Sequence, residues 1–245
     1  MAGLRYNNKI TLITGGSRGI GKGCVEVFVE NGAHVVFCSN DEEEGQQTEK
    51  DLSAKVPGRA WFIHGDVTNE EDVKWFSDPP PHPIDEFSAD DFRKLIDINL
   101  ISYFLFSKYS LPHLRKTEGN IINISSLVNQ IGQGQGVTYV ATKGAITSMT
   151  KALAIDEAKY NVRVNSIAPS NIWTPLFDSY IKTCARPEEE KRHFANNQLM
   201  GRFGTIQEIG QACLYLAADA TFCTGIELNL SCGAELNYGN KSMRQ

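Results

Sequence analysis

The chain has little of what is typical of nucleic-acid-binding, membrane-bound or secreted proteins. Its 24 Lys and Arg residues are outnumbered by 29 Asp and Glu, a formal net charge of −5, so no basic surface for nucleic acid is expected. No basic amphipathic stretch suggests a membrane surface, and the first residues carry no apolar segment of the length of a signal sequence or membrane span. These absences favour a cytosolic protein that acts on a small molecule.

Cysteine spacing argues against two further kinds of site. Six cysteines are scattered along the chain without any Cys-x-x-Cys pair. Neither a metal site of the zinc type nor a disulfide framework is therefore predicted. We expect the cysteines to be reduced and several of them to lie in the core.

The pattern of apolar residues predicts the fold class. A chain of 245 residues with 41% hydrophobic content can bury a substantial core, and its even composition favours one domain over residues 1–245. Short apolar runs alternate with helical patterns, which predicts an α/β fold, a Rossmann-like doubly wound parallel sheet flanked by helices. The predicted strands are Lys9–Ile13, His34–Cys38, Ala60–His64, Asn120–Ser126, Arg163–Ala168 and Thr224–Leu230, and the predicted helices are Ile20–Asn31, Ser88–Lys116, Val137–Tyr160 and Thr205–Ala218.

Tyr139 and Lys143 form the first candidate for chemistry. They are four residues apart in a helical pattern and therefore share a helix face. A nearby cation favours the phenolate and lowers the pKa of a phenol from its ordinary value of about 10, which makes Tyr139 a candidate acid or base. Ser126 ends an apolar strand upstream and is placed to hydrogen-bond the oxygen that Tyr139 protonates or deprotonates. Taken alone, Tyr-x-x-x-Lys is a weak pattern that an ordinary amphipathic helix also produces.

A glycine-rich segment, Thr14-Gly-Gly-Ser-Arg-Gly-Ile-Gly21, follows a predicted strand and precedes a predicted helix. This is the context that a dinucleotide-binding loop requires, because glycines let the backbone approach a pyrophosphate at the amide groups of the helix N-terminus. A lone glycine cluster would as often be a plain turn. Together, in this order and spacing, the loop, Ser126, Tyr139 and Lys143 resemble the short-chain dehydrogenase/reductase family.

The resemblance implies an oxidoreductase that moves a hydride between a secondary alcohol and C4 of a nicotinamide. It implies that Tyr139 exchanges the hydroxyl proton, that Lys143 lowers the phenol's pKa and binds the nicotinamide ribose, and that Ser126 orients the alcohol. Asn99 would hold a water that relays protons from Lys143. The alternative for Asn99 is a buried polar residue that only satisfies nearby backbone groups.

The resemblance also implies a set of cofactor-binding residues. These are Gly15, Ser17, Arg18, Gly19, Ile20, Gly21, Ser39, Asp66, Val67, Tyr139, Lys143, Ile172 and Thr174. Ser39 stands where the family places an acidic residue for the adenosine ribose, while Asp66 and Val67 match its adenine contact. Serine does not repel a 2′-phosphate and Arg18 offers one positive charge, so NADP stays possible. The nearby Asp41 and the branch of the family that the chain resembles favour NAD.

One family element is predicted to be missing. Only 33 positions separate Asp66 from Asn99, and three prolines, Pro79 to Pro81, break the helix expected after Thr68. No apolar run of strand length remains for the family's fourth strand and its Asn-Asn-Ala-Gly motif. Because that strand pairs with the first and the fifth, we expect its loss to leave backbone groups unpaired and to weaken cofactor binding and turnover.

Several phrases, among them Asn171-Ile-Trp-Thr-Pro175 and Phe222-Cys-Thr-Gly-Ile-Glu-Leu228, look like the type-14 17β-hydroxysteroid dehydrogenase branch of the family. That branch is cytosolic, tetrameric and NAD-dependent, and both 17β-hydroxysteroids and L-fucose are associated with it. A substrate lid is implied at residues 173–203, where aromatic and charged residues interleave; its alternative is ordinary helix packing. The sequence therefore leaves steroid and sugar open. The competing hypothesis is a catalytically impaired relative that keeps only oligomerisation or weak cofactor binding.

Overall fold

The computed structural model describes residues 3–53, 57–65 and 83–236. They fall into two compact units, the first within Met1–Gly65, Ser170–Asp219 and Leu230–Gln245, the second within Asp66–Pro169 and Ala220–Asn229. In chain order, the described elements are β1 (Ile10–Thr14), α1 (Gly19–Glu30), β2 (His34–Ser39), α2 (Glu42–Ser53), β3 (Arg59–His64), α3 (Ala89–Ile96), a π-helical turn (Asp97–Ile101), α4 (Ser102–Thr117), β4 (Asn120–Ile124), α5 (Val128–Ile131), α6 (Val137–Glu157), β5 (Arg163–Pro169), α7 (Pro175–Thr183), α8 (Pro187–Asn196), α9 (Ile206–Ala218) and β6 (Glu227–Leu230).

The described strands form two sheets of three, in the orders β1-β2-β3 and β4-β5-β6. β1, β2 and β3 are parallel, with Ile10 opposite His34 and His34 opposite Arg59, and β4 runs parallel to β5. The prediction of an α/β fold with parallel strands and flanking helices is confirmed. The adenine-contact residues Asp66 and Val67, and the stretch where the fourth family strand is predicted to be missing, lie outside the described residues.

Helices of the first unit cover one face of its sheet. Val35 and Phe37 of β2 are fully buried, as expected for the face packed on α1, whereas Ile10 and Leu12 of β1 point to the other face and are exposed. α1 also packs closely on α9, so closely that a Cβ on Gly23 would collide with the backbone of Ile206. The helix that follows the glycine-rich loop is thus held firmly on two sides.

The second unit carries the long helices. The helix predicted for Ser88–Lys116 is present, and Ser88 caps it as expected by accepting a hydrogen bond from the Asp91 amide at 3.1 Å. It is not uniform, since the π-helical turn at Asp97–Ile101 divides it into α3 and α4. Among the described helices of the chain, none combines the length and the apolarity that crossing a bilayer demands.

Candidate active site

The glycine-rich loop joins β1 to α1 in the first unit. Gly15 has φ +66°, a conformation that favours glycine, and there is open space where its Cβ would project. A Cβ on Gly21 would collide with the carbonyl oxygen of Gly15, so only glycine allows the turn to close. Arg18, the N-cap residue, makes no side-chain cap to α1, which leaves the amides at this helix end to an outside acceptor. The loop therefore fits a pyrophosphate group.

Ser39, at the end of β2, is tied to this loop. Its Oγ lies 2.7 Å from Oγ of Ser17, both side chains are buried, and it accepts a hydrogen bond from the Asp41 amide at 3.2 Å. The Thr48 hydroxyl donates to the Ser17 carbonyl at 3.1 Å. These bonds fix the loop against β2 and α2.

Arg18 does not stand alone as a positive charge. Its guanidinium lies 3.7 Å from the Glu44 carboxylate, with both side chains about half exposed at 47% and 46%. Asp41 caps α2, because its Oδ1 accepts a hydrogen bond from the Glu44 amide at 3.0 Å. The acidic first turn of α2 therefore offsets the charge that Arg18 would offer to a phosphate.

Two predicted cofactor residues, Ile172 and Thr174, lie in the segment after β5. Ile172 is buried and bridges to Gly204, and Thr174 caps α7 by accepting a hydrogen bond from the Phe177 amide at 3.2 Å. The Thr174 methyl group lies 3.8 Å from the position where a Cβ of Gly19 would stand. Thr174 and the glycine-rich loop, far apart in sequence, are therefore neighbours within the first unit.

Tyr139 and Lys143 lie on α6 in the second unit. Lys143 is buried, with 8% exposure, and its Nζ donates to the carbonyl oxygen of Ile124 at 3.3 Å. The same Nζ lies 5.6 Å from the centroid of the Tyr139 ring and 5.8 Å from that of Tyr103. The ammonium group is thus placed beside the phenol that the sequence selects, and beside a second one.

That second phenol, Tyr103, was not among the predicted site residues. Its hydroxyl donates to the Ile124 carbonyl at 3.0 Å, the acceptor that Lys143 also uses. Burial raises the pKa of Tyr103 to about 12, which keeps it a hydrogen-bond donor at neutral pH. The sequence contains one signal that could have identified Tyr103 as a site residue. It lies four residues after Asn99, a spacing that in an α-helix places two residues on the same face.

Ser126 and Asn99 belong to the same unit. Ser126 follows β4, is partly buried, and its Oγ accepts a hydrogen bond from the Val128 amide at 3.4 Å. Asn99 is buried in the π-helical turn, a geometry often found at functional sites, and its Nδ2 donates to Oγ1 of Thr142 at 3.3 Å. Thr142 donates in turn to the backbone carbonyl of Tyr139 at 2.8 Å, so Asn99 supports the helix turn that carries Tyr139.

The predicted lid segment contains α7 and α8, and its aromatic residues pack on one another. The Phe177 ring centroid lies 5.0 Å from that of Phe203 and 5.2 Å from that of Phe194, and Lys191 Nζ lies 4.2 Å from the Trp173 ring centroid. These contacts match the alternative of ordinary helix packing for the aromatic residues. The side chain of Met200, by contrast, is 75% exposed.

Family models match most of the chain. A model described as short chain dehydrogenase matches residues 9–78, and one described as enoyl-(acyl carrier protein) reductase matches residues 76–235. L-fucose dehydrogenase from Bos taurus is 47% identical over 259 aligned positions, which cover 98% of this chain and 94% of that protein. Since the alignment is longer than this chain of 245 residues, part of it lies opposite gaps here.

Solved structures resemble the chain as well. The crystal structure of Cj0485 dehydrogenase has a TM-score of 0.83 at 30% identity and covers 94% of this chain, which covers 95% of that one. L-sorbose reductase from Gluconobacter frateurii, solved with NADPH and L-sorbose, has a TM-score of 0.85 at 22% identity, with coverages of 94% and 97%. The second likeness bears on the fold alone.

Proposed function

Because the chain belongs to the short-chain dehydrogenase family, we propose that it transfers a hydride between a secondary alcohol and a nicotinamide dinucleotide. The observation that carries this proposal is the buried ammonium group of Lys143 beside the ring of Tyr139. A nicotinamide cofactor, when bound, supplies the acceptor for the hydride. The residues of the chain must bind the alcohol, orient it and remove its proton.

Tyr139 is the proposed acid or base. A buried cation close to a phenol stabilises the phenolate more strongly than an exposed one, since the local dielectric is low. Lys143 meets that condition, because its side chain is buried and its Nζ is fixed by the Ile124 carbonyl. Tyr139 would then take the hydroxyl proton as the hydride leaves the carbinol carbon.

Ser126 and Asn99 have supporting roles in the proposal. Ser126 is partly buried and carries its hydroxyl just beyond β4, as needed to orient the alcohol oxygen. Asn99 is held in the π-helical turn and linked through Thr142 to the turn of Tyr139. We propose that Asn99 binds the water molecule of the proton relay that the family resemblance implies.

NAD is the proposed cofactor, with NADP as the competitor. The glycine-rich loop has the open space and the uncapped helix end that a dinucleotide requires. For NADP, the 2′-phosphate would have to displace Glu44 from Arg18 and would meet the acidic first turn of α2. The electrostatic balance of these residues therefore favours the cofactor without that phosphate.

We propose a sugar, with L-fucose as the first candidate, in preference to a 17β-hydroxysteroid. The relative at 47% identity is an L-fucose dehydrogenase. The aromatic residues of the lid segment pack against one another, so they offer less surface to a steroid, and the most exposed apolar residues of this segment are the aliphatic Leu176, Leu199 and Met200. We further propose that residues 1–245 act as one functional domain with a lid at 173–203, in a cytosolic homotetramer. The six free thiols support a reducing compartment.

A catalytically impaired form is the second candidate. Its specific support is that the described strands form two sheets of three, in which β1 and β4 are edge strands. An edge strand lacks pairing on one side and holds the groups at its end less firmly, and hydride transfer tolerates little misplacement. We therefore also propose that this chain turns over its substrate more slowly than the L-fucose dehydrogenases do.

A parallel assay tests the function. Nicotinamide absorbance is followed with L-fucose or estradiol as substrate, each with NAD and with NADP. We expect turnover with L-fucose and NAD. Turnover with estradiol alone would refute the sugar assignment, and turnover with NADP alone would refute the cofactor assignment. The absence of turnover in all four arms, together with binding of NAD in a calorimetric titration, would establish the impaired form.

A further inference from the structure

A polar network behind Ser126 and Lys143 has no part in the reaction described so far. At its far end is Glu227, partly buried at the start of β6. Oε1 of Glu227 accepts hydrogen bonds from Thr147 Oγ1 at 2.6 Å, Asn129 Nδ2 at 2.8 Å and Ser166 Oγ at 3.5 Å, and Oε2 accepts one from Gln130 Nε2 at 2.7 Å. All four of these partners are donors, which suits a carboxylate, an acceptor at both oxygens.

The network continues from Glu227 to the backbone of Lys143. Asn129 Nδ2 also donates to Ser125 Oγ at 2.8 Å, and the Ser125 hydroxyl donates to the Lys143 carbonyl at 3.1 Å. Thr147 lies one turn after Lys143 on α6, and its bond to Glu227 is the shortest of the four. Glu227 thus holds both the segment after β4 and the α6 turn of Lys143.

These bonds attach Lys143 at both of its ends. Its side-chain Nζ donates to the carbonyl oxygen of Ile124. Its backbone carbonyl oxygen accepts a hydrogen bond from the hydroxyl of Ser125, the residue that follows Ile124. Ser126 follows immediately in the chain. The distance between the strand end that carries Ser126 and the helix turn that carries Lys143 is therefore set by this group of bonds.

We propose that Glu227 is a positioning residue, which holds Ser126 and Lys143 in register through Asn129, Thr147 and Ser125. The inference rests on the proposed function, and it adds a residue about a hundred positions away from Ser126 in sequence. Hydride-transfer geometry is sensitive to small displacements, since a misplacement of about 1 Å costs roughly a hundredfold in rate. Loss of the carboxylate should therefore lower turnover without a direct effect on the glycine-rich loop.

The test compares four variants by hydrogen–deuterium exchange, NAD titration and turnover. Glu227→Met keeps the length of the side chain but accepts no hydrogen bonds. Glu227→Gln is the conservative variant, because its carbonyl oxygen still serves Thr147 and Asn129 while Gln130 and its partner Asn229 turn their amides. Gln130→Ala is the matched control, since it removes the outer partner of the carboxylate and the two bonds between Gln130 and Asn229, and it keeps Asn129 and Thr147 in place. Thr147→Val breaks the network from the helix side and serves if Glu227→Met does not fold.

For Glu227→Met, or for Thr147→Val in its place, we expect amide exchange in residues 126–132 to rise about tenfold. Turnover should fall about tenfold or more, while the dissociation constant of NAD stays within about twofold of the parent value. Glu227→Gln and Gln130→Ala should behave like the parent. Unchanged exchange, or raised exchange with unchanged turnover, would overturn the proposal. If the parent itself shows no turnover, the proposed function fails, and the exchange measurement alone still decides whether Glu227 holds this segment.

Discussion

Lys143 Nζ lies 5.6 Å from the centroid of the Tyr139 ring, on the same face of α6, and it is fixed there by the Ile124 carbonyl. The sequence alone predicts the pair of Tyr139 and Lys143. The contact of Lys143 with Ile124, at the end of β4, depends on the folded structure. A desolvated ammonium group close to a phenol favours the phenolate, the form that accepts a proton.

Replacement of Tyr139 by phenylalanine removes the acid or base and keeps the ring. We expect turnover to fall by roughly a hundredfold or more, the usual contribution of general acid or base catalysis. Binding of NAD, measured by calorimetric titration, should stay nearly unchanged because the glycine-rich loop is intact. A Tyr139→Phe variant with the parent's full turnover would show that another group exchanges the proton.

The Tyr103 hydroxyl should contribute to stability. Tyr103→Phe removes its bond to Ile124, and we expect the free energy of unfolding to fall by about 1 kcal/mol near pH 7. Folding raises the pKa of this phenol from 10.0 to about 12, so the unfolded chain loses the proton first as pH rises. The stability of the parent relative to Tyr103→Phe should therefore be full below pH 10 and decline towards pH 12. Urea unfolding at pH 8, 10 and 11 measures it, and a difference that grows with pH would contradict the account.

Glu44 should act against NADP. Glu44→Gln removes the charge that pairs with Arg18, so the ratio of KM for NADP to KM for NAD should fall about fivefold, equivalent to about 1 kcal/mol. Glu43→Gln is the matched control, because it removes the same charge from the same helical turn. If both variants change the ratio equally, the pair with Arg18 has no special role.

The N-terminus of α9 provides a pH-dependent contribution to stability. Thr205 and Glu208 form a capping box, and hydrogen bonds from Arg202 and then from the Thr205 amide lower the pKa of Glu208 from 4.5 to about 2. Because the folded-state pKa is lowered, this contribution is present above about pH 4.5 and is lost as pH falls towards 2.

Glu208→Gln keeps a capping side chain but removes the charge, and Thr205→Ala removes the cap. We expect Glu208→Gln to lose roughly 0.5 kcal/mol at pH 7, since the pair with Arg202 is about half exposed. That loss should shrink as pH falls from 4.5 to 3, whereas Thr205→Ala should lose about 1 kcal/mol at pH 7. Urea unfolding at pH 7 and at pH 2 checks this, and a Glu208→Gln deficit that is as large at pH 2 as at pH 7 would contradict it.

Local patterns predicted much of the fold. The apolar run at Asn120–Ile124 and the periodic stretch at Val137–Glu157 lie where the sequence indicated, because a run of β-branched residues and helical spacing leave clear signals. The last strand is shorter than expected and begins at Glu227 rather than Thr224. No sequence pattern predicted the π-helical turn at Asn99, since this turn depends on packing in three dimensions.

The candidate site was only partly visible in the sequence. Tyr139 and Lys143 were found because one helix carries both, and the glycine-rich loop because its turn demands glycine. Tyr103 and Glu227 were missed, since their partners at Ile124 and Thr147 come from other elements of the fold. Neither long-range bond has a sequence spacing that reveals it, and only the four-residue spacing from Asn99 connects Tyr103 with the predicted residues.

The most direct test of the central claim follows the hydride itself. The parent chain is incubated with NAD and with L-fucose that carries deuterium on every ring carbon, the anomeric C1 included, and the reduced cofactor is analysed by mass spectrometry, with Tyr139→Phe as the baseline. We predict that a single deuterium appears in the reduced nicotinamide with the parent and stays near background with the variant. Reduced cofactor without deuterium, or equal labelling by parent and variant, would contradict the account.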